Sequence, residues 1–234
     1  MNENAYWFTY DIKLEDGQSN RFHITLDPVT LTMVPASPEP YPPWTRLSYK
    51  QCRCCPLSPK TNLYCPIAVN ITELVDRFKD ILSHKNCTVV CETVDRTYSK
   101  KTSAMEGLTS VFGIVMATNN CPVMNFLKPM ARFHLPFSSV EETTARSTSL
   151  FLLSQYFEYK KGRVNSFDFD KLEKSYARVQ LVNEGLLERI RSLGNRDADK
   201  NAIITLHSIS QFLSMEMDFS LTTIAHLFER GADA

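Results

Sequence analysis

The sequence predicts an α+β protein: an N-terminal antiparallel β-meander with a covering helix and a cysteine-rich knuckle, followed by an all-helical antiparallel bundle. Three observations predict it. Residues 6–33 alternate apolar and polar side chains with the strand period of two. Beyond residue 102 apolar residues recur every three or four positions, the helix period. All twelve prolines fall within the first 136 residues, so the last 98 lack the residue that most disrupts helices. We expect an α+β domain at 1–100, with the knuckle at 51–70, and a helical domain at 101–234 packed against it.

In the first segment Tyr6, Phe8, Tyr10, Ile12 and Leu14 share one face, and Thr9, Asp11 and Lys13 the other. Asp16-Gly17 supplies a turn signal. Phe22, Ile24 and Leu26 then alternate with Arg21, His23 and Thr25, which puts His23 on the wet face. Asp27-Pro28 turns again, and Val29, Leu31 and Met33 predict a third strand. Pro35 to Pro43 holds five prolines in nine residues, a stiff connector that Tyr41 and Trp44 pin to the body.

After the knuckle, Asn70 to Glu73 resembles a capping box. Ile71, Leu74, Val75, Phe78, Ile81 and Leu82 form a helical stripe that should cover the sheet. Residues 87–98, rich in β-branched side chains, predict a fourth strand with Cys87 and Cys91 as buried thiols on one face. Met105, Leu108, Phe112, Val115 and Met116 mark a helix, and Gly107 and Gly113 suit a close neighbour. Pro122 suits a first helical position, with Cys121 as N-cap, and Pro129 should end that helix. Ser139 to Glu142 is a capping box for a helix to about Lys160. Phe169 to Leu193 predicts a long amphipathic helix in which Gly185 is a small weakness. Gly194 should end it, and Asp197 and Asp218 or Ser220 should cap two more helices.

Composition narrows the function classes. The 234 residues are 43% hydrophobic and 22% charged, ordinary for a folded domain with ample core. A formal net charge of zero argues against nucleic acid as partner, since that affinity comes largely from neutralising phosphates. No secretory signal is evident at the start, and the longest apolar run, Val111 to Ala117, is too short to span a bilayer. The expectation is a cytoplasmic protein with no membrane partner, and an unknown protein partner remains open. There, seven cysteines suit free thiols or metal ligands better than disulfides.

The chemistry concentrates in QCRCCPLSPKTNLYCPIAVN, residues 51–70. Cys52 and Cys55 have the C-x-x-C spacing that lets two thiolates converge on one ion, and Cys65 follows after nine further residues. A closed structural site needs a fourth ligand. Cys121 is the first choice, because it precedes proline as Cys55 and Cys65 do, and because a helix N-terminus favours thiolate. His134 is the alternative, a loop imidazole that equally suits a place between Phe133 and Leu135. The cofactor is zinc or an iron–sulfur cluster, and the spacing does not decide between them. Cys54 has no assigned part. Small buried thiols remain the plain alternative.

Several chemistries lack a signature. No glycine-rich phosphate loop, nucleophile elbow or Glu-x-x-His repeat occurs. Glu142 and Arg146 read as a surface i, i+4 pair, and Glu141 and Gln155 complete no catalytic set.

The segments CxxCPL…CPIAVNI, SVFGIVMATNNCP, LKPMARFHLPF and EETTARS resemble motifs of a bacterial protein family of unknown function. The resemblance runs from the meander into the helical half. It implies a bacterial source, a compact two-part fold, and Cys52, Cys55, Cys65, Cys121 and His134 as the matching residues. It implies no reaction, and Cys54 lies outside its motifs. The leading expectation is therefore a non-enzymatic, sensory or scaffolding protein whose cysteine-ligated metal joins two halves. The rivals are a thiol-based redox protein, and an enzyme with its site between sheet and bundle.

Overall fold

The computed structural model describes residues 6–35, 40–78, 85–163, 170–192 and 222–228. Strands β1 (Tyr6–Leu14), β2 (Ser19–Leu26), β3 (Asn86–Thr93) and β4 (Thr97–Ser103) form one antiparallel sheet in the order β2-β1-β3-β4. The helices are α1 (Pro66–Phe78), α2 (Ala104–Ala117), α3 (Lys128–Arg132), α4 (Val140–Lys160), α5 (Asp170–Arg191) and the single turn α6 (Thr222–Ala225). The architecture is α+β: α1 lies between β2 and β3 in the chain, and the other helices come after the last strand.

The period-two reading gives the right face. Phe8, Tyr10, Ile12, Leu14, Phe22, Ile24 and Leu26 are buried, while His23 is exposed and meets Thr9 Oγ1 through its Nδ1 at 2.9 Å. In β3, Cys87, Val89 and Cys91 stand opposite Leu14, Ile12 and Tyr10 and join the same buried face. Gly17 takes the positive φ (88°) that the β1–β2 turn requires.

The expected third strand at 29–33 does not form. The Asp27 carboxylate accepts from the Val29 and Thr30 amides and from the Thr30 hydroxyl, and the Leu31 amide donates to the Asp27 carbonyl. A side chain that captures these amides removes them from a ladder, leaving a single bridge between Leu26 and Met33. The expected strand at 87–98 is instead a hairpin, turning at residues 94–96, because the Thr93 hydroxyl accepts from the Asp95 and Arg96 amides.

Helix α2 packs on β1, β3 and β4, and α1, the expected covering helix, joins the same buried core through Ile67, Ile71 and Leu74. A Cβ on Gly107 would lie 2.7 Å from Val89 Cγ2, so glycine lets α2 approach β3 there. Gly113 has no neighbour within 4 Å of that position, and its expected close approach is absent. Helix α1 runs beside α2 and reaches the sheet where Arg77 lies over the Phe22 ring. It also begins earlier than expected. Pro66 opens it, and Asn70 lies buried inside it instead of capping it. Residues 79–84, which carry the expected Ile81 and Leu82, lie outside the described set, as do Gly194, Asp197, Asp218 and Ser220.

The later half keeps two expected features. Ser139 and Glu142 form the full capping box of α4, and α5 buries Leu172, Tyr176, Val179, Val182, Leu186 and Ile190. Arg146 differs: it reaches back to the Met130 and Phe133 carbonyls and leaves Glu142 to the cap. One contiguous apolar core runs from Phe8 in β1 to Ile190 in α5.

A candidate cysteine site between the knuckle loop and α5

The knuckle is a loop closed at its base. Cys65 N–H donates to the Thr45 carbonyl at 2.7 Å and Leu47 N–H to the Leu63 carbonyl at 2.9 Å, with a bridge between Arg46 and Tyr64. Trp44 is buried beside it, and Tyr41 meets Tyr64 edge-on at 5.1 Å, which anchors the proline-rich connector. Within the loop, the Cys55 amide donates to the Cys52 carbonyl at 3.0 Å, so the C-x-x-C segment is a tight turn. Cys65 is the N-cap of α1, its carbonyl accepting from the Val69 amide, at the helix end that favours negative charge.

Cys121 arrives from the segment after α2. Its amide donates to Asn119 Oδ1 at 2.6 Å, and Asn119 is itself fully enclosed and bonded to the Met116 carbonyl. The expected helix from Pro122 does not form. Residues 122–124 turn, with the Met124 amide donating to the Cys121 carbonyl, and a 3₁₀ turn at Asn125–Leu127 leads into α3. Pro129 lies in the first turn of α3 rather than ending a helix. The role foreseen for a helix terminus falls to the Val123 and Met124 N–H groups, whose influence on the Cys121 thiol favours its ionised form.

Cys52, Cys55, Cys65 and Cys121 all line one cavity of about 10 Å³. Its other walls include Leu47, Ile67, Val182, Gly185, Leu186 and Arg189. Burial pushes the Cys121 thiol up to about 11, even though those two N–H groups pull it down. Burial also raises Cys52, and the neighbouring Cys55, Cys54, Cys65 and Cys121 sulfurs add to the effect. All seven cysteines are free thiols. Among the described residues, no three His, Cys, Asp or Glu side chains are already set to hold a metal ion.

The fourth wall, α5, is held by several contacts. A Cβ on Gly185 would lie 2.5 Å from Cys52 Cβ and 3.0 Å from Cys52 Cα, so the helix backbone sits directly on the C-x-x-C turn. Arg53 pairs with Glu184 at 3.1 Å, and Tyr49 bonds Ser192 at 2.6 Å. Cys54, which is not among the cavity-lining residues, directs its thiol toward the Arg178 carbonyl at 3.5 Å. Arg189, exposed by only 2%, donates to the Trp44, Arg46 and Leu47 carbonyls.

Gly185 and Arg189 escape a reading of the sequence by motif. Arg189 did leave a signal: it lies on the apolar stripe of α5, three residues after Leu186 and next to Ile190. A charge at such a position has a buried partner.

His134 belongs to another place. Its Nε2 bonds the Tyr10 hydroxyl, its ring stands edge-on to Phe8 at 5.4 Å, and it does not line the cysteine cavity. The Tyr10 hydroxyl also bonds Ser110 Oγ at 2.9 Å, which extends this polar group under the sheet. Some surface of His134 stays accessible, but enclosure of the ring, with the Arg146 charge nearby, lowers its pKa to about 3.

The fold and this site define an α+β protein in which a cysteine-bearing loop, a helix N-terminus and a later turn meet against a long helix. The chain belongs to the family described as Domain of unknown function (DUF6901), whose model matches residues 8–229. No curated protein and no solved structure matches the chain.

Proposed function

We propose that Cys52, Cys55, Cys65 and Cys121 bind a single metal ion, zinc before an iron–sulfur cluster, and that the ion fastens the knuckle loop and the segment after α2 against α5. One observation carries this reading: four cysteines from three separate stretches of chain line the same small cavity. Four thiolates are a complete donor set for structural zinc. The cavity, about 10 Å³, is close to one water-sized sphere, which suits an ion and leaves no room for an organic substrate. Holding the ion requires the four side chains to turn inward and release their protons. A sensory or scaffolding role in a reducing compartment such as the cytoplasm agrees with free thiols.

The thiol-redox alternative has less support, because burial raises the Cys52 and Cys121 thiols and reactive cysteines have lowered pKa values. Among the described residues no helix is long and apolar enough to cross a membrane.

The test is metal analysis of protein purified without oxygen. The expected result is about one zinc per chain, the occupancy of a single four-ligand site. Cys52→Ser, Cys65→Ser and Cys121→Ser should each lower it, while Cys54→Ser should leave it unchanged. A brown sample containing iron and labile sulfide would move the assignment to a cluster. Absence of any metal, both as purified and after zinc is added to the reduced protein, would overturn it.

A further inference from the structure

Arg189 lies nearly inaccessible on α5 and is one of the residues that line the cysteine cavity. Its Nη1 donates to the Trp44 and Arg46 carbonyls, both at 2.8 Å, and its Nη2 to the Leu47 carbonyl at 3.1 Å. These bonds satisfy donors but supply no opposite charge. Among the described residues no carboxylate pairs with it. Removing a charge from water is costly unless an opposite charge compensates. The neighbours that can become negative are the Cys65, Cys52 and Cys55 thiols, which line the same cavity, and the Tyr49 phenol.

We propose that Arg189 is the counter-cation of the cysteine site, offsetting the negative charge left when four thiolates enclose one divalent metal ion. This rests on the metal reading above and deepens it. A four-thiolate complex of a divalent ion is doubly negative. In an enclosed site that excess charge is poorly screened, and a fixed cation at the wall lowers its cost. On binding, each cysteine S–H loses its proton to solvent and its sulfur lone pair goes to the metal, with no change of oxidation state. The three carbonyl bonds have a second consequence. They fix residues 44–47, which lead directly into the knuckle, so Arg189 places its charge and the loop together.

The experiment is cobalt(II) titration of the reduced, metal-free protein, read by sulfur-to-cobalt charge-transfer absorption. Wild type, Arg189→Lys and Arg189→Gln are compared, with a melting curve of each metal-free protein. Lysine keeps the charge and loses the fork, whereas glutamine keeps a donor and loses the charge. Arg189→Lys should melt lower yet bind cobalt within about threefold of wild type, and Arg189→Gln should bind at least about tenfold more weakly. Equal losses in the two variants would reduce Arg189 to a clamp on residues 44–47 and overturn the proposal, as would unchanged binding in Arg189→Gln. If Arg189→Gln does not fold, Arg189→Lys decides alone: a loss beyond about tenfold overturns it, and retained affinity supports it. A wild-type protein that develops no thiolate band removes the metal reading itself. A normal wild-type band with equally weakened variants removes only the part assigned to Arg189.

Discussion

Two residues show how a single side chain, or the lack of one, sets local energetics. Alanine at Gly185 would gain up to about 1 kcal/mol of helix propensity. Its Cβ, however, would enter the space of Cys52, 2.5 Å from Cβ and 3.0 Å from backbone Cα. Backbone cannot yield as the tip of a flexible side chain can, so Gly185→Ala should destabilise by about 1–3 kcal/mol. Urea unfolding at constant m-value measures it, and a more stable variant would show that α5 does not press on the turn. His134 makes the second case. Its folded pKa is lowered to about 3, chiefly by burial, with the Arg146 charge adding to the effect. Above its unfolded value of about 6.5 both states are neutral and it costs nothing. Below that the unfolded chain takes up a proton that the folded chain refuses, so stability falls as pH drops toward about 3, by at most about 1.4 kcal/mol per pH unit. His134→Gln should flatten that acid limb in unfolding measured across pH, at the expense of a lower plateau near neutrality from the weakened bond to Tyr10.

Among the elements, α4 and the β3–β4 hairpin are built from local instructions. The Ser139 hydroxyl accepts from the Glu142 amide, while the Glu142 carboxylate accepts from the Ser139 amide. Ser139→Ala should therefore cost about 1 kcal/mol, read from thermal or urea unfolding, and a change within about 0.2 kcal/mol would mean the cap is idle. At the start of α2, Glu106 is bound by Lys100 and by the Thr102 hydroxyl, which hold its carboxyl below the usual range. A lowered carboxyl pKa stabilises the fold above the unfolded value of about 4.3, and that contribution is lost as pH falls through the folded pKa. Glu106→Gln should thus lower stability at neutral pH and converge on wild type in acid. These contacts also fix how β4 turns into the helix that covers the sheet.

For the whole molecule, the decisive feature is that the knuckle and α5 close over one cavity. If metal occupies it, chelation removes binding energy that had become folding energy. The expected consequence is a lower melting temperature, by about 2–4 °C for each kcal/mol the ion contributes in a chain of this size. Loss of amide-exchange protection should concentrate in residues 44–66 and 178–192, where loop and helix meet. Uniform loss across the sheet as well would mean that the ion, when present, supports the entire fold rather than this junction.

The sequence by itself determined the α+β class, the buried face of β1 and β2, the capping box of α4 and the stripe of α5. Each is local: a period of two or of 3.6, or a cap three residues from its partner, reports on neighbours along the chain. It also singled out Cys52, Cys55, Cys65 and Cys121, because their spacing and Cys-Pro contexts are visible in one dimension. Where residues compete for the same backbone amides, local reading failed. Asp27 took those of the expected third strand, and Thr93 turned the expected fourth strand back on itself. Only the tertiary structure decided that α2 packs on β1, β3 and β4, that His134 belongs to Tyr10, and that Gly185 and Arg189 complete the walls around the four cysteines. The last two of those outcomes join side chains more than 100 positions apart, and no pattern along a single chain records which distant surfaces will fit.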